Sequence, residues 1–293
     1  DSPLTFVDPD GLVDVVTAIV ATQRDLGNRS DRRQARMKYL IDRLGIDGFR
    51  DEVEKRLGRR LPPVKAFTIR PIDSHFGWHR QNQPGLNYLG FFVENGRIED
   101  RPGFPLRSTL REVIREEKPV VYLTPNQDII LADVPDERVS AITAAFESAG
   151  LSLHRNSRLR RESIACPALP TCGLAITEAE RRLPGLIDEL EARGYGEEAV
   201  KIRMSGCPNS CSRPPVAEIG LVGKSVDGYS IYIGGNAQGT RLAQLYLEPV
   251  SSADLASELD RLLSHYRAHR AEGEGFGDFC SRVGVQRLRQ NLA

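Results

Sequence analysis

Two short stretches, ACPALPTCGLA at residues 165–175 and MSGCPNSCSRPP at residues 204–215, hold four of the five cysteines in this 293-residue chain. The first stretch places five residues between its cysteines and the second places three. Disulfides are a poor explanation, because five is an odd number and too few for a disulfide-stapled fold. A reducing compartment, the cytoplasm, with metal-binding or catalytic thiols is the better expectation.

Three kinds of site can use thiols at these spacings. Structural zinc usually takes tight knuckles of two cysteines, so the pair with five intervening residues fits zinc poorly. A catalytic thiol needs a histidine partner, and the sequence has no histidine between Cys166 and Cys211. An iron–sulfur cluster takes four thiolates and accepts varied spacings, because its ligands lie on loops. The spacing therefore favours a cluster over zinc, and Cys280, which has no partner in sequence, is interpreted as a small buried residue.

The composition is that of an ordinary globular protein, with 27% charged residues, 40% hydrophobic residues and a formal net charge of zero. The length suggests two domains as a prior. No overall charge points to nucleic acid or membrane as a partner, and no apolar run approaches the ~20 residues of a membrane span. The opening DSPLTFVDPDGL lacks a methionine and the features of a signal peptide, so we interpret it as the interior of a longer protein.

The hydrophobic pattern predicts an α+β chain in three parts. Residues 1–61 are predicted to be helical, because apolar residues recur there at helical spacing. Residues 62–151 follow the order strands, helix, two strands, helix, which is close to a ferredoxin-like unit. Residues 152–293 alternate strands with helices, as in a mixed α/β domain. In this third part, Thr177 and Glu180 are predicted to form a capping box at the start of a helix.

The chain resembles the sulfite and nitrite reductases that contain sirohaem and a 4Fe–4S cluster. The resemblance is carried by ACPALPTCGLAITEAER, SGCPNSCSRPPVAEIGLVGK and GGNAQGTR, and it extends over VVTAIVATQRDLGNRSDRRQARMKYLIDRLG, FFVENGRI, TPNQDIILADVP and GEGFGDF. Within that family, the chain is most similar to the C-terminal half of the assimilatory sulfite reductase haemoproteins (beta subunit). The N-terminal half of the family, which brings further haem contacts and most of the sulfite-binding cations, has no counterpart in this sequence.

The resemblance implies that Cys166, Cys172, Cys207 and Cys211 ligate one 4Fe–4S cluster. It also implies that Cys211 bridges the cluster to the sirohaem iron. The family turn between the last two cysteines usually reads Pro-Asn-Gly, so Ser210 is a departure. Because a β-carbon disfavours the left-handed region, a serine here predicts an ordinary negative φ at this position.

Contacts to sirohaem and to the substrate are implied by the resemblance as well, since both are anionic and need cations. The segment NRSDRRQARMK carries five basic residues against one acid, and it matches the family segment that contacts the sirohaem carboxylates. The candidates in it are Arg29, Arg33, Arg36 and Lys38, with Arg36 and Lys38 also candidate catalytic groups. The alternative for each is a plain solvated helix surface. The other candidate cofactor contacts are Asn126, Gln127, Arg203, Asn209, Gly235, Asn236 and Arg241.

The function implied by the resemblance is the six-electron reduction of sulfite to sulfide at a sirohaem coupled to the cluster. The implied partners are the anion and an electron-donor protein, either a flavoprotein fed by NADPH or a ferredoxin, together with the N-terminal half of the family chain. A sirohaem nitrite reductase that makes ammonia from nitrite is the near alternative. A non-catalytic iron–sulfur or zinc module is an alternative of another class.

Overall fold

The computed structural model describes residues 3–67, 75–151 and 156–292. The chain forms two compact units, residues 1–69 and residues 70–293. Within the described ranges, no helix combines the length and the apolar character that a bilayer crossing requires. The three domain bounds predicted from the sequence stay a prediction.

The first unit is a pair of helices, α1 (Leu12–Leu26) and α2 (Met37–Leu57). The two helices pack through a small apolar core that includes Val15, Phe49 and Val53. This unit confirms the helical start that the periodicity predicted.

The second unit contains a four-stranded antiparallel sheet with two helices. Its strands are β1 (Gly77–Arg80), β2 (Leu86–Phe91), β5 (Val120–Leu123) and β6 (Ile129–Pro135), in the order β1-β2-β6-β5. A short hairpin of β3 (Asp100–Arg101) and β4 (Phe104–Pro105) precedes α3 (Leu106–Glu117), and α4 (Val139–Ser148) follows β6. Leu110, Ile142 and Phe146 from the helices share one buried core with Leu89 and Leu131 from the sheet.

The second sheet of this unit is mixed and has five strands. They are β7 (Ile164–Ala165), β8 (Ile202–Ser205), β9 (Ile219–Ser225), β10 (Gly228–Ile233) and β11 (Gln244–Ser251), in the order β11-β10-β9-β8-β7. β7, β8 and β9 run parallel, whereas β9, β10 and β11 are antiparallel. The helices around it are α5 (Arg158–Arg161), α6 (Leu183–Ala192), α7 (Leu255–His269), α8 (Phe276–Val283) and α9 (Val285–Leu292).

The predicted capping box at Thr177 is wrong, because α6 begins six residues later, at Leu183. The Thr177 hydroxyl donates instead to the carbonyl of Val226 over 2.9 Å. Glu180 accepts two hydrogen bonds of 2.6 Å from the guanidinium of Arg97. Both side chains that the pattern assigned to a cap are therefore used in tertiary contacts.

Candidate functional site

Cys166 and Cys207 lie just beyond the carboxyl ends of two neighbouring parallel strands. Ala165 at the end of β7 pairs with Met204 in β8. The N–H of Cys166 donates to the carbonyl of Met204 over 3.0 Å. Because parallel strands end at the same edge of a sheet, this pairing brings the first cysteine of each pair to one place. Both side chains are buried, with exposed fractions of 8% and 7%.

The loop that carries Cys172 folds back onto Gly206, the residue before Cys207. The N–H groups of Ile176 and Thr177 both donate to the Gly206 carbonyl, over 2.8 and 3.1 Å. A β-carbon on Gly206 would lie 2.5 Å from the Thr177 carbonyl oxygen and 2.6 Å from the β-carbon of Ala168. The two cysteine segments are therefore packed against each other with no room for a side chain at Gly206.

The turn between Cys207 and Cys211 overturns the expectation about Ser210. Ser210 has φ = 57°, which lies in the left-handed region. Its N–H donates to the Cys207 carbonyl over 3.2 Å, and its own carbonyl accepts the N–H of Arg213 over 2.9 Å. These two turn hydrogen bonds are made with a left-handed residue at this position, a conformation that glycine adopts more readily than serine. The structure keeps the left-handed turn and places a serine in it.

The donor set fits an iron–sulfur cube better than a single zinc ion. All four thiols are free, with Cys172 half-buried and Cys211 exposed. A tetrahedral zinc ion would hold its sulfurs about 3.8 Å apart, given Zn–S bonds of about 2.3 Å. Across the described parts of the chain, no three His, Cys, Asp or Glu side chains are grouped closely enough for one ion. The cube is larger than an ion and takes its thiolates from separate loops, as the two segments here provide.

A small cationic pocket gathers three of the predicted residues, Asn126, Arg203 and Asn236. The pocket also contains Lys201 and Arg213, which the sequence analysis did not single out. The signal for Lys201 was available, because Lys201 immediately precedes β8 and lies two residues before Arg203, the spacing at which side chains of an extended chain point to the same face. The Arg213 guanidinium donates to the side-chain oxygen of Asn126 over 3.1 Å, a contact between distant segments that no local pattern encodes.

Arg203 is the unusual residue of this pocket. It is only 9% exposed, and its Nη1 is buried without a hydrogen-bond partner in the described structure. Burial, together with the nearby charge of Arg213, lowers the pKa of Arg203 to about 10. A buried guanidinium nitrogen without an acceptor is costly, so this site is suited to an anionic group.

Three of the predicted contacts in GGNAQGTR are engaged within the chain. Arg241 donates to the carbonyls of Gly234 and Gly235, over 2.7 and 3.0 Å, and pairs with Asp278 over 2.7 Å. The Asn236 side-chain oxygen accepts the N–H of Thr240 over 2.8 Å. A β-carbon on Gly235 would lie 2.0 Å from the Ala217 carbonyl oxygen, so glycine is required there by chain packing.

Gln127 and Asn209 lie next to the cysteine segments. The Gln127 amide donates to the Ala165 carbonyl over 3.0 Å, one residue before Cys166. Its side-chain oxygen is buried without a partner in the described structure. Asn209 is exposed in the turn that follows Cys207.

The remaining candidates lie in the helical unit. Arg29 donates to the Arg24 carbonyl over 3.3 Å, and Arg33 pairs with Asp31 over 3.3 Å. Arg36 is exposed at the N-cap of α2. The Lys38 ammonium lies 4.8 Å from the centre of the Tyr39 ring.

Comparison with known proteins identifies the family. Residues 1–61 and 163–293 match the nitrite and sulphite reductase 4Fe-4S domain. The chain belongs to the nitrite and sulfite reductase family. Residues 79–149 match the nitrite/sulfite reductase ferredoxin-like half domain. These matches confirm the predicted family and the iron–sulfur class of domain.

Relatives within the nitrite and sulfite reductase family are longer than this chain. A sulfite reductase [NADPH] hemoprotein beta-component from Chromohalobacter salexigens is 44% identical over 96% of this chain and 49% of its own length. The same-named protein of Geobacillus kaustophilus is 43% identical over 96% of this chain and 50% of its own length. The chain thus spans about half the length of the curated relatives it matches.

A solved structure has the same architecture. The NirA protein of Mycobacterium tuberculosis superposes with a TM-score of 0.83 at 29% identity, covering 97% of this chain and 54% of that chain. This agreement confirms the predicted α+β fold class, with its helical start, ferredoxin-like sheet and mixed sheet domain.

Proposed function

We propose that this chain is the cofactor-binding half of a sirohaem sulfite reductase, in which Cys166, Cys172, Cys207 and Cys211 ligate one 4Fe–4S cluster. The observation that carries the proposal is the packing of the two cysteine segments around Gly206, at the shared edge of β7 and β8. That packing brings two loops of thiols together without the close grouping of a mononuclear metal site.

The residues of the chain supply binding and electrostatics. The N–H of Gly206 donates to the sulfur of Cys166 over 3.4 Å, which stabilises a thiolate at that position. Cys211 is the exposed cysteine, and it is the thiolate that we propose is shared with the sirohaem iron. When bound, the cluster and the tetrapyrrole supply the redox chemistry for the six-electron reduction of sulfite to sulfide.

We also propose that cationic side chains bind the cofactor carboxylates and the substrate anion. Arg203 and Lys201 offer positive charge to carboxylates of the tetrapyrrole from the small pocket beside β8. Arg36 and Lys38 are proposed to bind the substrate anion, because both are exposed on the basic segment of the helical unit. Arg29, Arg33, Asn126, Gln127, Asn209, Gly235, Asn236 and Arg241 stay proposed cofactor contacts.

The proposed activity is that of a full-length protein of this family. The relatives are about twice as long as this chain. Those relatives are named for NADPH, which favours a flavoprotein fed by NADPH over a ferredoxin as the electron donor. The cytoplasm is the proposed location. Nitrite is the alternative substrate, since the matched family is named for both anions.

The test is the cofactor content of protein purified without oxygen. We expect about four iron atoms and about four acid-labile sulfides per chain, with a broad cluster absorbance. Each of the variants Cys166→Ser, Cys172→Ser and Cys207→Ser should lose most of this iron. The control variant Cys280→Ala, which changes a buried thiol in α8, should retain it. Zinc in place of iron would support the zinc module instead.

Tests of the bridging role of Cys211 and of the preferred substrate anion require protein that carries both cofactors. Cys211→Ser should abolish the electronic coupling between haem and cluster signals, and coupling that survives would contradict the bridge. Turnover of sulfite should exceed turnover of nitrite under the same electron donor. The opposite preference would identify a nitrite reductase.

A further inference from the structure

The pocket beside β8 is small and lined by cations. Its volume is about 80 Å³, and its charged lining residues are Lys201, Arg203 and Arg213. None of the described residues that line it is an aspartate or a glutamate. Since a water molecule occupies about 30 Å³ in the liquid, the pocket has room for one oxyanion group and not for a tetrapyrrole ring.

Two of the three cations, Lys201 and Arg213, are held in place by different parts of the second unit. The Lys201 ammonium donates to the Ala237 carbonyl over 3.2 Å and lies 3.7 Å from Glu162. The Arg213 guanidinium donates to the Pro125 carbonyl and to the Asn126 side chain, each over 3.1 Å. These two positive charges are therefore fixed before any ligand binds, which reduces the ordering cost of binding.

Arg203 provides an independent sign that this pocket is suited to a ligand. The side chain is about nine-tenths buried, lines the pocket, and leaves its Nη1 without an acceptor. Two carboxyl groups, Glu162 and Asp128, act on Arg203 through their charge, but neither accepts a hydrogen bond from Nη1. Burial raises the pKa of Asp128 to about 7, so below that pH Asp128 carries little compensating charge.

We infer that Lys201, Arg203 and Arg213 form a binding site for a single small oxyanion group, such as a carboxylate or a sulfite-sized inorganic anion. This inference deepens the proposed function, because a carboxylate at the edge of the tetrapyrrole and a free oxyanion offer the same chemistry. Two or three charge-assisted hydrogen bonds favour such a ligand over chloride.

The experiment is a titration of the purified chain with sodium sulfate at millimolar concentrations and constant ionic strength, following the thermal midpoint. We expect a saturable rise of about 2–4 °C. The rise should be lost in Lys201→Met and in Arg203→Met. Lys224→Met, which removes an exposed cation on β9 outside the pocket, should retain it. If Arg203→Met fails to fold, Lys201→Met and Arg213→Gln still decide the result.

Repeating the titration on protein loaded with the tetrapyrrole distinguishes a cofactor carboxylate from a free oxyanion as the ligand of this site. A rise that disappears on loading identifies a cofactor carboxylate as the occupant, and a rise that persists identifies a free oxyanion. No saturable rise in the unmodified chain, or a rise that Lys201→Met keeps, overturns the site. The sulfate titration needs no cofactor, so its outcome is independent of whether the chain proves to bind iron or haem.

Discussion

The backbone N–H of Gly206 donates to the sulfur of Cys166 over 3.4 Å, and this contact joins the two cysteine segments. The same glycine accepts the N–H groups of Ile176 and Thr177 through its carbonyl. Hydrogen bonds to ligating sulfurs are one of the means by which proteins set the potential of an iron–sulfur cluster. Gly206 thus fixes the geometry of the cysteine segments and reaches one of the sulfurs directly.

Gly206→Ala should damage the site through steric overlap alone. The new β-carbon would lie 2.5 Å from the Thr177 carbonyl oxygen, which is backbone and cannot rotate away. We expect a loss of about 3 kcal/mol in the free energy of unfolding and a large fall in bound iron. Gly173→Ala is the matched control, because a β-carbon there meets nothing within 4 Å. Equal behaviour of the two variants would contradict the packing described here.

Ser210→Gly should stabilise the chain. Ser210 has φ = 57°, a region that costs an ordinary residue about 1–2 kcal/mol and costs glycine little. Glycine also has greater conformational freedom in the unfolded state, which offsets part of this benefit. We therefore expect the free energy of unfolding, measured by chemical denaturation, to rise by about 0.5–1 kcal/mol. Ser281→Gly, an exposed position within α8, should instead lose about 0.5 kcal/mol. A loss at both positions would show that the turn does not strain Ser210.

A site built of thiols is easier to recognise from the sequence than a site built of cations. Cysteines at distinctive spacings form a pattern within a short segment, whereas the role of an arginine depends on what its far end reaches. Arg203 and Arg241 both lie in glycine-containing basic segments, yet Arg241 is paired with Asp278 and Arg203 has an unsatisfied nitrogen. Arg213 contacts Asn126 across 87 residues of sequence. Such contacts appear only once the fold is known.

The fold shows the same division between local and distant information. The predicted order of elements agrees with the structure for the helices α1, α2, α3 and α4, because each presents an apolar stripe to a core. The sequence pattern misplaced the start of α6, since Thr177 and Glu180 suit a cap but have stronger partners elsewhere. Tertiary contacts override local capping preference when the side chain is buried.

Arg160→Met should destabilise the second unit more than the loss of a surface arginine. The Arg160 side chain is 14% exposed and pairs with Glu94 over 2.7 Å, with Glu191 over 2.7 Å, and with Asp188. Its removal leaves partly buried carboxylates without a cation, so we expect a loss of about 2–3 kcal/mol. Arg193→Met, which breaks a more exposed pair with Asp260, should cost less than about 1 kcal/mol. The measurement is chemical denaturation of both variants. Similar losses of stability in the two would show that the ion pairs of Arg160 stabilise the fold no more than an exposed pair does.

Asp128→Asn should change how stability depends on pH. Asp128 accepts the Val93 N–H over 3.0 Å, and burial raises its pKa to about 7, despite that hydrogen bond and the charge of Arg203. In the unfolded chain an aspartate titrates near pH 3.9. Between about pH 4 and pH 7 the folded protein therefore holds a proton that the unfolded chain has released. The free energy of unfolding consequently falls as the pH rises through this range, and the full loss is present above pH 7.

The asparagine of Asp128→Asn keeps an acceptor for the Val93 N–H and carries no charge. We expect the variant to exceed the wild type by on the order of 2–4 kcal/mol at pH 8 and to approach it near pH 4, measured by urea denaturation across that range. Parallel stability curves for the two proteins would show that Asp128 is already ionised in the folded state at low pH.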